Sequence, residues 1–127
     1  LNLGVRVALF AEALGVFSGS AAWDDAFKAA VVEDIRSELA YISENLSPKG
    51  NFRMKQAMTL VECGLRLPMC PEASGWTQTG VTIMNDASRR QVLPDGAHIE
   101  CTAGYHQWMT RLFIECLRLG REWPELG

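Results

Sequence analysis

The 127 residues contain only two histidines, and the four cysteines, Cys63, Cys70, Cys101 and Cys116, form no C-x-x-C pair and have no paired histidine spacing beside them. That excludes the usual zinc arrangements, and neither a metal nor an organic cofactor is called for. Basic charge is in short supply as well: 12 Lys and Arg against 15 Asp and Glu give a formal net charge of −3. Nucleic-acid binders normally carry the opposite excess. Long apolar runs are also missing. The longest, "VRVALFAEALGVF", is interrupted by Glu12 and falls short of the roughly 20 residues a membrane span needs. No stretch alternates apolar and polar residues for long enough to suggest a sheet, and no internal repeat or low-complexity segment marks a solenoid or a linker. The first residues lack a basic n-region and a small-residue cleavage site. Together with Leu1 in place of Met, this makes the chain read as an internal piece of something longer.

What the sequence does have is helical periodicity. With 48% hydrophobic and 21% charged residues it has the makings of one globular domain, or part of one, and the pattern predicts five helices. The first runs from about Val5 to Phe17 and is stopped by "SGS" at 18–20. The second covers about Trp23 to Leu46, with Phe27, Val31, Ile35, Leu39, Ile42 and Leu46 as its buried stripe and two aspartates in its first turn. The third begins near Asn51 and buries Met54, Met58, Val61 and Leu65 before Pro68 ends it. The fourth covers about Glu72 to Val92, burying Trp76, Gly80, Ile83, Met84 and Ala87. "LPDG" then turns the chain, because Pro94 fixes φ and Gly96 tolerates positive φ. The fifth, about Tyr105 to Leu119, buries Trp108, Leu112, Cys116 and Leu119. Short breaks between such helices favour antiparallel hairpins. Cys63 and Cys116, lying on apolar stripes, read as buried thiols that act as small hydrophobes.

Chemically capable side chains gather at two loop-to-helix junctions, "SPKGNFRMKQ" at 47–56 and "GAHIECTAGYHQW" at 96–108. At the first, Asn51 follows a glycine at a helix start, where an asparagine commonly caps the backbone; the alternative is an amide aimed into a cleft. Lys49, Arg53 and Lys55 surround it, either as a solvated surface or as a receptor for an anion. At the second, Tyr105 and His106 are titratable at a helix mouth. Tyr105 equally suits a half-buried helix-start position, and His98 reads as part of an exposed turn. Glu100 is either a first-turn carboxylate of the fifth helix or the orienting partner of a basic side chain. No Ser-His-Asp set, phosphate loop or metal motif is present.

Taken together, "GNFRMKQAMTLVECGLRLPMCPEASGW" and "RRQVLPDGAHIECTAGYHQW" resemble the N-terminal helical domain of the heparinase II/III-like polysaccharide lyases. That family has a G-N-W-like helix start, a glycine followed by a proline-glutamate-tryptophan segment, and then Q-x-x-P-D-G-x-x-x-E-x-x-x-x-Y-H. The matching residues are Gly50-Asn51-Phe52, Gly64 with Pro71, Glu72 and Trp76, and Gln91, Pro94, Asp95, Gly96, Glu100, Tyr105 and His106. The match is close over about 47–125 and compatible before that. Phe52 stands for the usual tryptophan, Gln56 where glutamate is frequent, and Ala103 in a segment where proline is common.

The resemblance implies an all-α fold, a partial (α/α) toroid built from antiparallel helical hairpins, with residues 1–127 part of one helical domain. The remaining helices and a C-terminal β-sheet domain would belong to the parent. It also implies β-elimination of a uronate-containing acidic polysaccharide, like heparin, heparan sulfate or alginate. Asn51 and Tyr105 would be the catalytic pair, and Lys49, Arg53, Lys55, Glu100 and His106 the substrate-binding set. The same likeness suggests a periplasmic or secreted protein, with no nucleic acid and no membrane span. Two alternatives stay open: a non-catalytic helical module that binds carbohydrate or a partner, and an (α/α) glycoside hydrolase using Glu100 and a second acid.

Overall fold

The computed structural model describes residues 3–124. Helices α1 (Leu3–Phe17), α2 (Asp25–Glu44), α3 (Gly50–Arg66), α4 (Ala73–Gln91) and α5 (Ala103–Glu122) follow one another along the chain. Among the described residues, the only β pairing is an isolated antiparallel bridge between Val92 and His98. Two of the helix starts are set by side-chain caps. The Asp24 carboxylate accepts the Phe27 N–H at 2.7 Å and starts α2, and Thr102 Oγ1 accepts the Tyr105 N–H at 3.4 Å and starts α5. Because Thr102 supplies that cap, α5 begins two residues before the expected Tyr105.

Helix α3 lies at the centre and is buried on two faces. Leu60, Cys63 and Leu67 join a core formed with Val7, Ala11 and Leu14 of α1 and Ile35, Leu39 and Ile42 of α2. Met54, Ala57, Met58 and Val61 join a second core with Ile83, Met84 and Ala87 of α4 and Met109, Leu112 and Leu119 of α5. The expected single stripe of α3 is therefore only half of what it buries, and Leu65 on that stripe is merely half-buried. Thr59 ties α3 to α1: its fully buried hydroxyl, 3.0 Å from the Lys55 carbonyl of its own helix, lies 3.2 Å from that of Gly4.

The α3–α4 hairpin is the closest packing in the chain. A Cβ at Gly80 would come within 2.5 Å of the Ala57 carbonyl, and one at Gly64 within 2.6 Å of the Ala73 carbonyl. Backbone meets backbone at both ends of this contact because neither position carries a side chain. In α4 the expected stripe Trp76, Gly80, Ile83, Met84 and Ala87 is buried throughout. In α2 the stripe fails at its start: Phe27 is 49% exposed and instead stands edge-on to Trp23, ring centroids 5.1 Å apart. Trp108 and Cys116 of α5 are half-buried, and Met109, absent from the expected stripe, is buried. Ion pairs clip the layers: Arg6 of α1 to the buried Glu38 of α2, and Arg36 of α2 to Glu72 at the start of α4 at 2.6 Å.

Candidate functional site

The α2–α3 loop is tied down by one side chain. Gln56 accepts the Ser47 N–H through Oε1 at 2.7 Å and donates from Nε2 to the Asn45 carbonyl at 3.2 Å. A glutamate could accept the first bond and not donate the second, so the amide found here is what this loop uses. Arg53 adds a bond from Nη1 to the Ser47 carbonyl at 2.9 Å. The loop then reaches Lys49 in extended conformation and Gly50 at φ +74°, a left-handed backbone that glycine adopts without strain. Lys49 is the N-cap of α3 and makes no side-chain cap bond. The expectation that Asn51 caps the helix is thereby corrected: α3 begins one residue earlier, which puts Asn51 inside the first turn.

The second junction is a compact hairpin. Leu93 N–H donates to the Ala97 carbonyl at 2.8 Å, Ile99 N–H to that of Gln91 at 3.0 Å, and Asp95 Oδ1 accepts the Ala97 N–H at 2.9 Å. His98, expected in an exposed turn, is instead only 3% exposed. Its Nδ1 accepts the Glu100 N–H at 3.4 Å, which leaves the proton on Nε2 to be donated to Gln91 Oε1 at 3.0 Å. The hairpin bond pattern turns His98 inward, and no periodicity in so short a loop signals this. Glu100 is not a first-turn carboxylate of α5. It precedes the Thr102 cap, and its Oε1 lies 3.4 Å from where a Cβ of Gly50 would stand, against the start of α3. Negative charge is favourable beside that end of a helix.

Between the two junctions opens a cleft of about 660 Å³, lined by Asn51, Phe52, Thr102, Gly104, Tyr105 and Trp108. Asn51 and Tyr105, from the first turns of different helices, thus line one cleft. None of the six lining side chains is charged. Phe52 is 63% and Tyr105 46% exposed, and among the described residues no ring stacks on Phe52, Tyr105 or Trp108. Lys49, Arg53, Lys55, Glu100 and His106 lie outside this lining. Arg53 serves the Ser47 carbonyl, as described, and Lys55 is on the side of α3 where it interacts with Glu62, whose carboxyl is raised by burial and lowered again by Lys55 and Arg66. His106 accepts the His98 N–H through Nδ1 at 3.3 Å and borders a separate depression of about 360 Å³ with His98 and Cys101. No cluster of three or more His, Cys, Asp or Glu able to hold a metal occurs among the described residues, and no described helix is long and apolar enough to cross a membrane.

Helical hairpins presenting a cleft at the starts of α3 and α5 define an all-α, hairpin-built class of fold, and comparison with known proteins makes it specific. The Heparinase II/III N-terminus family profile matches residues 1–124, so the chain belongs to that family. It is 24% identical over 131 residues to a heparin-sulfate lyase of Pedobacter heparinus, covering 98% of this chain and 20% of that protein. A heparin-sulfate lyase of Bacteroides thetaiotaomicron is 31% identical over 70 residues, 55% of this chain and 10% of the other. A solved structure of heparinase III has a TM-score of 0.88 at 22% identity, over 94% of this chain and 18% of its own. The fold is accordingly an all-α piece of an (α/α) toroid, and the chain spans about a fifth of the length of these relatives.

Proposed function

We propose that this chain is part of the helical toroid domain of a polysaccharide lyase that cleaves uronate-containing acidic polysaccharide, of the heparin, heparan-sulfate or alginate type, by β-elimination. The observation that carries the reading is the sharing of one uncharged cleft by Asn51 and Tyr105, in a chain whose relatives are heparin-sulfate lyases. Abstraction of the C5 proton of a uronate places negative charge on its carboxylate. The Asn51 amide is the group that stabilises this charge, in a cleft with no charged lining to compete. The bond from C4 to the glycosidic oxygen then breaks, leaving a C4–C5 double bond, and the departing oxygen takes up a proton. Tyr105, whose hydroxyl has no hydrogen-bond partner among the described residues, exchanges a proton with the reacting sugar: it either takes the C5 proton or supplies the one the departing oxygen gains, and a group of the parent outside this chain does the other. Lys49, Arg53 and Lys55, outside the cleft, attract the polyanion towards it, while Glu100 and His106 flank the junction. The further helices and a β-sheet domain of the parent complete the site, and export to the periplasm or beyond fits a polymeric substrate.

The test is Tyr105→Phe and Asn51→Ala in the full-length parent, assayed by release of the ultraviolet-absorbing unsaturated uronate. Tyr105→Phe should lower elimination by about 10²-fold, and Asn51→Ala by about 10² to 10³-fold. Asn51→Ala should barely shift the melting temperature, because Asn51 makes no cap bond. Parental rates in both folded variants would refute the assignment. Three unstacked rings beside Asn51 favour a second reading, a non-catalytic carbohydrate-binding module; saturable binding of the polymer with no unsaturated product from the parent would decide for it.

A further inference from the structure

His98 sits at a crossing of three elements. Its ring joins Gln91, the last residue of α4, to the Glu100 N–H. Its own N–H is donated to His106 in the first turn of α5 at 3.3 Å, and its carbonyl accepts the Cys101 N–H at 2.9 Å. Cys101 has φ +52°, the one non-glycine in the left-handed region among the described residues, a strained conformation that persists only where its surroundings impose it. Glu100, held by the His98 ring, rests its carboxylate against Gly50. The two residues to which the elimination chemistry is assigned are therefore each one residue away from this network: Gly50 precedes Asn51, and His106 follows Tyr105. His98 itself does not line the cleft.

We propose that His98 is a positioning residue: its ring, by holding the Glu100 N–H and Gln91, fixes the turn from which the Glu100 carboxylate meets the start of α3 and the His98 backbone N–H reaches His106 in α5, and so places the Asn51 amide and the Tyr105 hydroxyl. Imidazole suits the task because it offers an acceptor and a donor on opposite sides of a rigid, small, buried ring. Leucine fills the volume and leaves Gln91 and the Glu100 N–H without partners. Glutamine keeps both kinds of bond on a more flexible stem. The catalytic readout rests on the lyase reading above; the structural readout does not.

The experiment compares His98→Leu and His98→Gln in the full-length parent by steady-state elimination and by site-resolved amide hydrogen exchange. His98→Leu should lower kcat by about 10-fold or more, because small misplacements of reacting groups are costly, while KM changes by less than about 2-fold. His98→Gln should recover part of the loss. Exchange should quicken at both Gly50–Asn51 and Tyr105–His106 in the leucine variant. A lower melting temperature with kcat and both exchange sites unchanged would reduce His98 to a core residue and overturn the proposal, as would a raised KM at unchanged kcat. If the parent makes no unsaturated product, the lyase reading fails and exchange alone decides: quickening at both sites upholds the positioning role, and quickening at neither refutes it. If His98→Leu does not fold, the same exchange and kcat criteria are applied to His98→Gln, whose parental behaviour on both would refute the proposal.

Discussion

Burial takes three of the four thiols out of reach of chemistry. The Cys63 thiol is pushed up to about 12 and that of Cys116 to about 11, in each case chiefly by burial, and burial also raises Cys70. A thiol raised this far holds almost no thiolate at moderately alkaline pH, and thiolate is the reactive form. Cys101 alone is exposed. Site-resolved alkylation of the folded parent at about pH 8 should label Cys101 at least about 10-fold faster than Cys63, Cys70 or Cys116, with the difference vanishing in denaturant. Equal rates before denaturation would show that the helices open locally at the cores. The thiols of Cys63 and Cys116 thus sit in apolar surroundings as expected, Cys116 on the stripe of α5 and Cys63 on a second face of α3. His98 had no such signal, because a buried loop residue is specified by its partners Gln91, Glu100 and His106, which adjoin it only after the hairpin closes. The shared cleft of Asn51 and Tyr105 was legible through motif resemblance alone, since neither helical periodicity nor local capping rules relate the starts of α3 and α5.

Helix α4 was readable almost residue by residue because it packs chiefly on α3 through one face, the arrangement that produces a single stripe. Helix α3 was not, because it is packed on two sides and its buried Leu60 and Cys63, with Leu67 at its C-cap, fall outside the stripe formed by Met54, Met58 and Val61. Phe27 was misassigned for a related reason: apolar spacing cannot distinguish a helix facing the core from an end that extends beyond it. Glycine 80 tests what holds the α3–α4 pair. In an open helix interior, Gly→Ala is favourable by about 1 kcal/mol. At Gly80 the new methyl would instead meet the Ala57 carbonyl and Val61 Cγ2, each at 2.5 Å, and the cost should be about 1–3 kcal/mol as the helices are forced apart. Gly75, on the same helix with nothing within 4 Å of a Cβ, is the control. Melts of the parent should place Gly80→Ala below and Gly75→Ala at or above the unaltered protein; matching shifts would mean that the pair relaxes without loss.

At the scale of the whole molecule, two cores share one central helix while the outer helices keep apolar residues in the open. Leu9, Phe10, Val16 and Phe17 of α1 and Ile114 and Leu117 of α5 are all exposed, on the first and last helices of the series. Soluble domains that stand alone rarely leave so much apolar surface at both ends of a helical stack, and stacked helical units need covering neighbours to be well ordered. The chain spans about a fifth of its relatives' length, and we propose that further helices of a toroid meet that need. Expressed by itself, the 127-residue chain should therefore show full helical circular dichroism, bind a hydrophobic dye such as ANS and melt over a broad range, because secondary structure survives where fixed packing is incomplete. The α3–α4 hairpin should be the most protected part in hydrogen exchange, being the closest packed, and α1 and α5 should exchange first. A monodisperse monomer with a sharp two-state melt and no dye binding would contradict this, and would mean that the exposed faces of α1 and α5 need no neighbour.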